Sequence, residues 1–353
     1  MIGPREIALL RLAAQGLAGP GEPTPAAAVR RLAAMQAQER PGALTSVALR
    51  TAGGTREAVL AALDAGEAVT SWPMRGTLHL VPAEDLRWML ELTGPRQLAV
   101  AARRRAELEL DEAALDRARE VAVAALSGGG RLRRAELYEL WTAAGVPASG
   151  SRGYHLLGHL AQTGTVCFGP AAGGEQLVVL VAEWIPRPRR PEREEALGEL
   201  AERYFRGHGP ATARDFARWT GLLAADVRAG LALARPRLAR LEVDGVEHLM
   251  APETPDLLAA HRDQARGTFL LPGFDELLLG YADRTAVLPA EFAGRIVPGG
   301  NGIFQPTVVD DGQVVGTWRH AGRAGRREPA FVPFTGFRDG LAATLAEVYA
   351  ALP

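Results

Sequence analysis

Few side chains in this 353-residue sequence are equipped for covalent chemistry. It has no lysine, so all 40 Lys+Arg positions are arginine and no side chain can form a Schiff base. The one cysteine, Cys167, allows no internal disulfide and no thiolate cage for zinc or an iron–sulfur cluster. It reads as a small apolar residue on a buried strand. The seven histidines show no metal-site spacing. Asp275 and Glu276 are adjacent carboxylates, but neighbours on a strand point to opposite faces, so structural hydrogen bonding is expected rather than an acid–base pair. Thr77 and His79 alternate on a predicted strand and share a face. Gln36-Ala37-Gln38 offers two amides, neither able to strip a proton from water at neutral pH; alone, the tripeptide reads as exposed polar residues at a helix end. Arg319, Arg323, Arg326 and Arg327 gather with His320 in the turn region 318–329, opposed by Glu328 alone, and make a locally positive tip.

These residues need a scaffold of several packed units, because 353 residues exceed one small core. The pattern of two or three helices followed by a short strand pair occurs three times. Thr24 caps a helix with Pro25 in its first turn, and the alanine-rich run 26–38 continues it until Pro41. A short third segment covers 44–50, a fourth helix opens at 55–57, and strands 68–72 and 77–81 flank a turn forced by Pro73 and Gly76. After the glycine-rich 127–130, helices near 135–143 and 153–162 lead to strands 165–168 and 176–181. A proline- and arginine-rich linker, 186–191, precedes helices 194–207, 212–219 and 224–234. Strands 241–243 and 246–250 follow, joined by Asp244-Gly245. A helix over 253–265 ends this unit, and strands and turns, Asp311-Gly312 among them, then run to a last helix at 337–352. The expected fold is α+β: winged-helix units over 1–110, 111–186 and 192–265, then a β-rich region, 266–353.

A helix-turn-helix with a hairpin wing fits a DNA groove edge, so tandem wings imply DNA binding. A net charge of −1 excludes indiscriminate coating of nucleic acid, and any contact must be local. Arg5 and Glu6 near the start, with no small-residue cleavage site after an apolar core, argue against a signal peptide. The longest apolar stretch, 176–184, falls short of the roughly 18 residues a membrane span needs. A soluble, cytoplasmic protein is expected, with monomer as the default.

Five strings carry a resemblance. They are Met35-Gln36-Ala37-Gln38, Met74-Arg75-Gly76-Thr77-Leu78-His79-Leu80, His208-Gly209-Pro210-Ala211-Thr212-Ala213-Arg214-Asp215, Leu271-Pro272-Gly273-Phe274-Asp275-Glu276-Leu277-Leu278-Leu279-Gly280-Tyr281, and Asn301-Gly302-Ile303-Phe304-Gln305-Pro306-Thr307. Across nearly its whole length the chain resembles the winged-helix DNA glycosylases, in particular the AlkZ/YcaQ-like branch linked to azinomycin resistance. The resemblance implies removal of N7- or N3-alkylated purines from duplex DNA, including bulky adducts and crosslinks, with Gln36 and Gln38 as the catalytic pair. The face that Thr77 and His79 share is expected to line the lesion pocket or its rim, packing beneath Trp72 being the alternative, and Arg75 is expected to contact DNA. Arg319, Arg323, Arg326 and Arg327 would contact DNA. No cofactor and no metal is expected, and the missing lysine agrees with a monofunctional enzyme. On a full helix Gln36 and Gln38 would point about 200° apart. Convergence in a fraying last turn before Pro41 is the expected solution, with Glu39 solvated. The competing reading is a non-catalytic DNA-binding protein or regulator.

Overall fold

The computed structural model describes residues 3–322 and 328–353 and divides them into two compact units. One unit holds the chain up to Val59 together with Leu197–Trp219 and Leu223–Pro353; the other holds Leu60–Ala196 and Thr220–Leu222.

In the first unit the N-terminal helix Pro4–Ala14 is buried almost all round, and its Ala8, Leu9 and Leu12 share one core with Leu271, Leu277, Val287 and Val309. Four antiparallel strands form a sheet in the order Glu328–Pro333, Gln313–Ala321, Thr307–Asp310, Thr268–Leu271. Trp318 and Leu270 from this sheet pack on Leu341 and Leu345 of the last helix, Leu341–Ala350. The hairpin of Ala239–Val243 and Val246–Met250 turns at Asp244 and Gly245, with φ of 50° and 75°. Two successive left-handed residues give the primed turn whose twist suits a hairpin.

The second unit carries two hairpins that meet in one sheet, in the order Thr77–Pro82, Ala68–Met74, Val166–Ala172, Glu175–Leu180, with Thr70 paired to Phe168. Helices Leu86–Glu107, Glu112–Leu126, Arg134–Ala143 and Arg152–Gln162 belong to the same unit. Cys167 lies on Val166–Ala172, and full burial pushes its thiol far above the ordinary range. No helix among the described residues is long and apolar enough to cross a membrane.

Local structure departs from the sequence reading in four places. The helix expected to reach residue 38 stops at Arg31, and Ala33 takes φ +63°. Leu32, Ala33, Ala34 and Met35 are each at most 1% exposed, and four consecutive fully buried residues cannot sit on a helix with one wet face. Pro41 does not end a helix; it lies in the first turn of Arg40–Ala48, where its missing N–H costs nothing. Asp275 and Glu276 are not on a strand, because Asp275 caps the short helix Glu276–Leu279 by accepting a hydrogen bond from the Leu277 N–H. The helix expected over 253–265 breaks at His261 into Thr254–Ala260 and Arg262–Ala265.

Candidate active site

The two glutamines stand on a taut connector between helices Pro25–Arg31 and Arg40–Ala48. Thr24 caps the first helix at the Ala27 N–H, 3.1 Å away. At its other end Arg31 binds the carbonyl oxygens of Ala14 and Ala13 at 2.6 and 3.1 Å and Glu22 at 2.6 Å. Gly207 lets a neighbouring helix cross here, since a Cβ on it would stand 2.3 Å from the Arg31 carbonyl oxygen. The far end of the connector is fixed by Glu39, whose carboxylate accepts from the Gly42 N–H at 2.6 Å. Glu39 is therefore a helix cap, a role the sequence reading did not give it.

Between these anchors Met35–Gln36 is extended. Burial alternates along it: Met35 and Ala37 are 1% and 5% exposed, Gln36 is partly exposed and Gln38 is exposed. The extended step ends at Gln36 and residues 38–39 form a bend, but both glutamines keep accessible surface while Met35 and Ala37 are buried. The glutamines lie on an extended step and in the bend after it, not in the loosened helix end that the sequence suggested.

A buried polar network lies behind this face. The Gln36 N–H donates to Glu276 Oε1 at 3.0 Å. Glu276 Oε2 accepts from Trp219 Nε1 at 3.0 Å and faces His208 Nε2 at 3.4 Å. His208 stacks on Tyr204 with centroids 4.7 Å apart, and its carbonyl oxygen accepts from the Tyr281 hydroxyl at 2.8 Å. Tyr281 in turn accepts from Gln15 Nε2 at 3.0 Å. Gln15 Oε1 takes a bond from Arg50, which grips Asp275 with two bonds of 2.8 Å; Ser46 donates to the same carboxylate at 2.5 Å. Arg50 is 0% exposed, and its planar fork satisfies the buried Asp275 charge. Burial pushes the Tyr204 and Tyr281 hydroxyls well above the usual tyrosine range, so both stay protonated donors. Asp275 and Glu276 thus have the structural hydrogen bonds expected of them, each in a different half of the network.

Beside Glu39 the first unit opens a cavity of about 490 Å³, lined by Thr45, Arg56, Pro272, Trp318, Arg319 and His320 among others. Arg56 is held over Thr45 Oγ1 at 2.9 and 2.6 Å, while Arg319 and His320 are exposed. Arg319 therefore stands on the wall of a polar recess next to the glutamine connector. Arg323, Arg326 and Arg327 lie outside the described residues.

In the second unit Arg75 occupies a hairpin turn with φ +53°, followed by Gly76 at +68°. Thr77 and His79 lie on Thr77–Pro82, and His79 is 0% exposed. Its Nδ1 donates to the Thr77 carbonyl oxygen at 2.8 Å and its Nε2 meets Arg75 Nη2 at 3.0 Å. Arg75 also helps line a cavity of about 220 Å³ with Trp72, Gln97, Tyr154, His155 and His159. The network that joins Glu276, His208, Trp219 and Arg50 behind the Gln36 peptide was not anticipated from the sequence. The only sequence signal for the first two was membership of the quoted strings, since nothing in their spacing predicts a shared network.

The family described as DNA glycosylase AlkZ-like matches residues 29–352. The interstrand DNA cross-link repair glycosylase of Streptomyces sahachiroi is 30% identical over 334 residues, spanning 89% of this chain and 87% of that protein. The solved structure of Streptomyces sahachiroi DNA glycosylase AlkZ superposes with a TM-score of 0.81 at 26% identity, covering 99% of this chain and 95% of the other. The chain belongs to the AlkZ-like DNA glycosylase family.

Proposed function

We propose that this enzyme hydrolyses the N-glycosidic bond of N7- or N3-alkylated purines in duplex DNA, with Gln36 and Gln38 orienting the attacking water. The observation that carries the reading is the alternating burial of residues 35–38, which leaves both glutamines with accessible surface. An alkylpurine of this kind is already cationic. When the C1′–N9 bond breaks, the base keeps the electron pair and leaves neutral, water adds to C1′, and its proton passes to solvent. No strong base is needed; two amides that hold the water and stabilise the oxocarbenium-like sugar supply what remains. The absence of lysine supports hydrolysis without Schiff-base strand cleavage.

The duplex itself would be held by winged-helix elements, with Arg319 and Arg75 reaching phosphate. Support comes from two helix-then-hairpin runs, 134–180 and 193–250, each with a two-residue or near two-residue turn. The name of the Streptomyces sahachiroi relative extends the reading to interstrand crosslinks, and a crosslink joined through purine N7 would leave its bases equally primed to depart.

Incubation with a duplex carrying a single N7-methylguanine, then heat or alkali, tests the reading. Strand scission at the lesion supports it. A duplex that is bound but stays intact makes the chain a DNA-binding protein without this activity.

A further inference from the structure

We infer that Glu276 is a positioning residue for the reaction, acting through the peptide N–H of Gln36. The inference rests on the glutamine-centred reading above and deepens it. A glutamine with free torsions would sample many rotamers, and a water-orienting amide is useful only when its backbone is fixed. The fixing bond here is a charged one: Glu276 Oε1 accepts the Gln36 N–H at 3.0 Å. Glu276 is 1% exposed, so the carboxylate cannot turn to water. It is clamped from the other side by Trp219 Nε1, which donates at 3.0 Å, with His208 Nε2 3.4 Å away.

The clamp is itself built from distant parts of the sequence. Gly280 leaves room for the histidine, since a Cβ there would stand 2.6 Å from His208 Cδ2. Both ring nitrogens face acceptors, Nδ1 the Tyr204 carbonyl oxygen at 3.3 Å and Nε2 the Glu276 carboxylate at 3.4 Å, and when Nδ1 donates to Tyr204 the neutral ring leaves Nε2 as an acceptor. A carboxylate suits the site because both of its oxygens must accept, one from the peptide and one from the indole. Removal of one acceptor therefore forces a choice between holding Gln36 and holding Trp219.

That choice makes the inference testable. In Glu276→Gln one oxygen becomes an NH2 group, which meets either the Gln36 N–H or the Trp219 N–H, donor against donor. Single-turnover release of 7-methylguanine is expected to slow at least about tenfold, with duplex affinity kept within about twofold. Adding Trp219→Phe to Glu276→Gln removes the opposing donor. The new amide then accepts from Gln36 through its oxygen and donates to His208 Nε2, and release is expected to recover to within about threefold of wild type. A purely structural role predicts further loss in the double variant, not recovery.

Unchanged release in Glu276→Gln, a loss confined to duplex affinity, or a double variant no faster than the single one overturns the inference. Gln36→Ala, assayed in parallel, separates the two levels. If it is slow while Glu276→Gln is fast, only the positioning role fails; if it is as fast as wild type, the glutamine reading itself fails. Should Glu276→Gln not fold, hydrogen exchange in the wild-type protein decides. Protection of the Gln36 amide supports the bond, and exchange at the rate of an unstructured peptide overturns it.

Discussion

Gln36 and His79 both stand in strings shared with the family, yet they are secured over different distances along the chain. The peptide of Gln36 is held by Glu276, 240 residues away in sequence, and the same network closes through Arg50 and Asp275, 225 residues apart. His79 bonds the Thr77 carbonyl two residues back and Arg75 four residues back, within its own hairpin. In the first unit the distant partners grip backbone and leave the glutamine side chains to face outward. In the second the imidazole is itself spent on local bonds. The difference teaches that an accessible amide pair needs support from far along the chain, whereas a hairpin can organise a buried histidine by itself.

The sharpest way to break this comparison is to remove a long-range support. Asp275→Ala strands the buried Arg50 cation and is expected to cost about 3–5 kcal/mol of stability in denaturant unfolding. His79→Ala removes neutral or singly charged local bonds and is expected to cost about 1–3 kcal/mol. Equal losses at the two sites would erase the distinction. Next in size, Gln36→Ala and Gln38→Ala should each slow base release by more than about tenfold, about 1.4 kcal/mol in barrier, with an unchanged circular dichroism spectrum. Variants as active as wild type would remove both amides from the chemistry. Arg319→Glu should weaken duplex binding several-fold and flatten its salt dependence by about one unit of slope; an unaltered slope returns that residue to the solvated surface.

The smallest effect concerns pH. Burial first, then Arg104 and Arg105, pushes the His155 imidazole down, and burial with Arg105 does the same to His159. Folding therefore favours their neutral forms. Their contribution is complete above the unfolded value of about 6.5 and is lost as pH falls through the lower folded values. Thermal melts of the wild type should drop slightly from pH 7.5 to 5 by more than those of His155→Gln/His159→Gln; parallel curves would deny the shift a role in stability.

Much of the fold was legible because it depends on local chemistry. Asp244-Gly245 and Asp311-Gly312 take left-handed φ at both residues, and Thr24 with Pro25 starts its helix as read. What failed was decided by tertiary burial. Residues 26–38 are rich in helix formers, but Leu32 to Met35 are enclosed on every side, and packing overrode propensity. Asp275-Glu276-Leu277-Leu278 looked strand-like from its apolar run, although an aspartate just before a leucine cluster is also a helix cap signal. The glutamine pair was found through the family strings. The bond to Glu276 could not be read, because nothing in a one-dimensional pattern pairs a peptide at 36 with a carboxylate at 276.

The alternation at residues 35–38 gives the motif a parity. Ala37, at 5% exposure, is the inward step between two outward ones, so the intervening position tolerates only a small or apolar side chain. Inserting one residue between Ala37 and Gln38 would break that alternation and shift the second amide away from its present place relative to the first. Inserting two would restore the phase but lengthen a connector that Arg31 and Glu39 hold at fixed ends. The interval between the glutamines is thus bound up with the backbone beneath them.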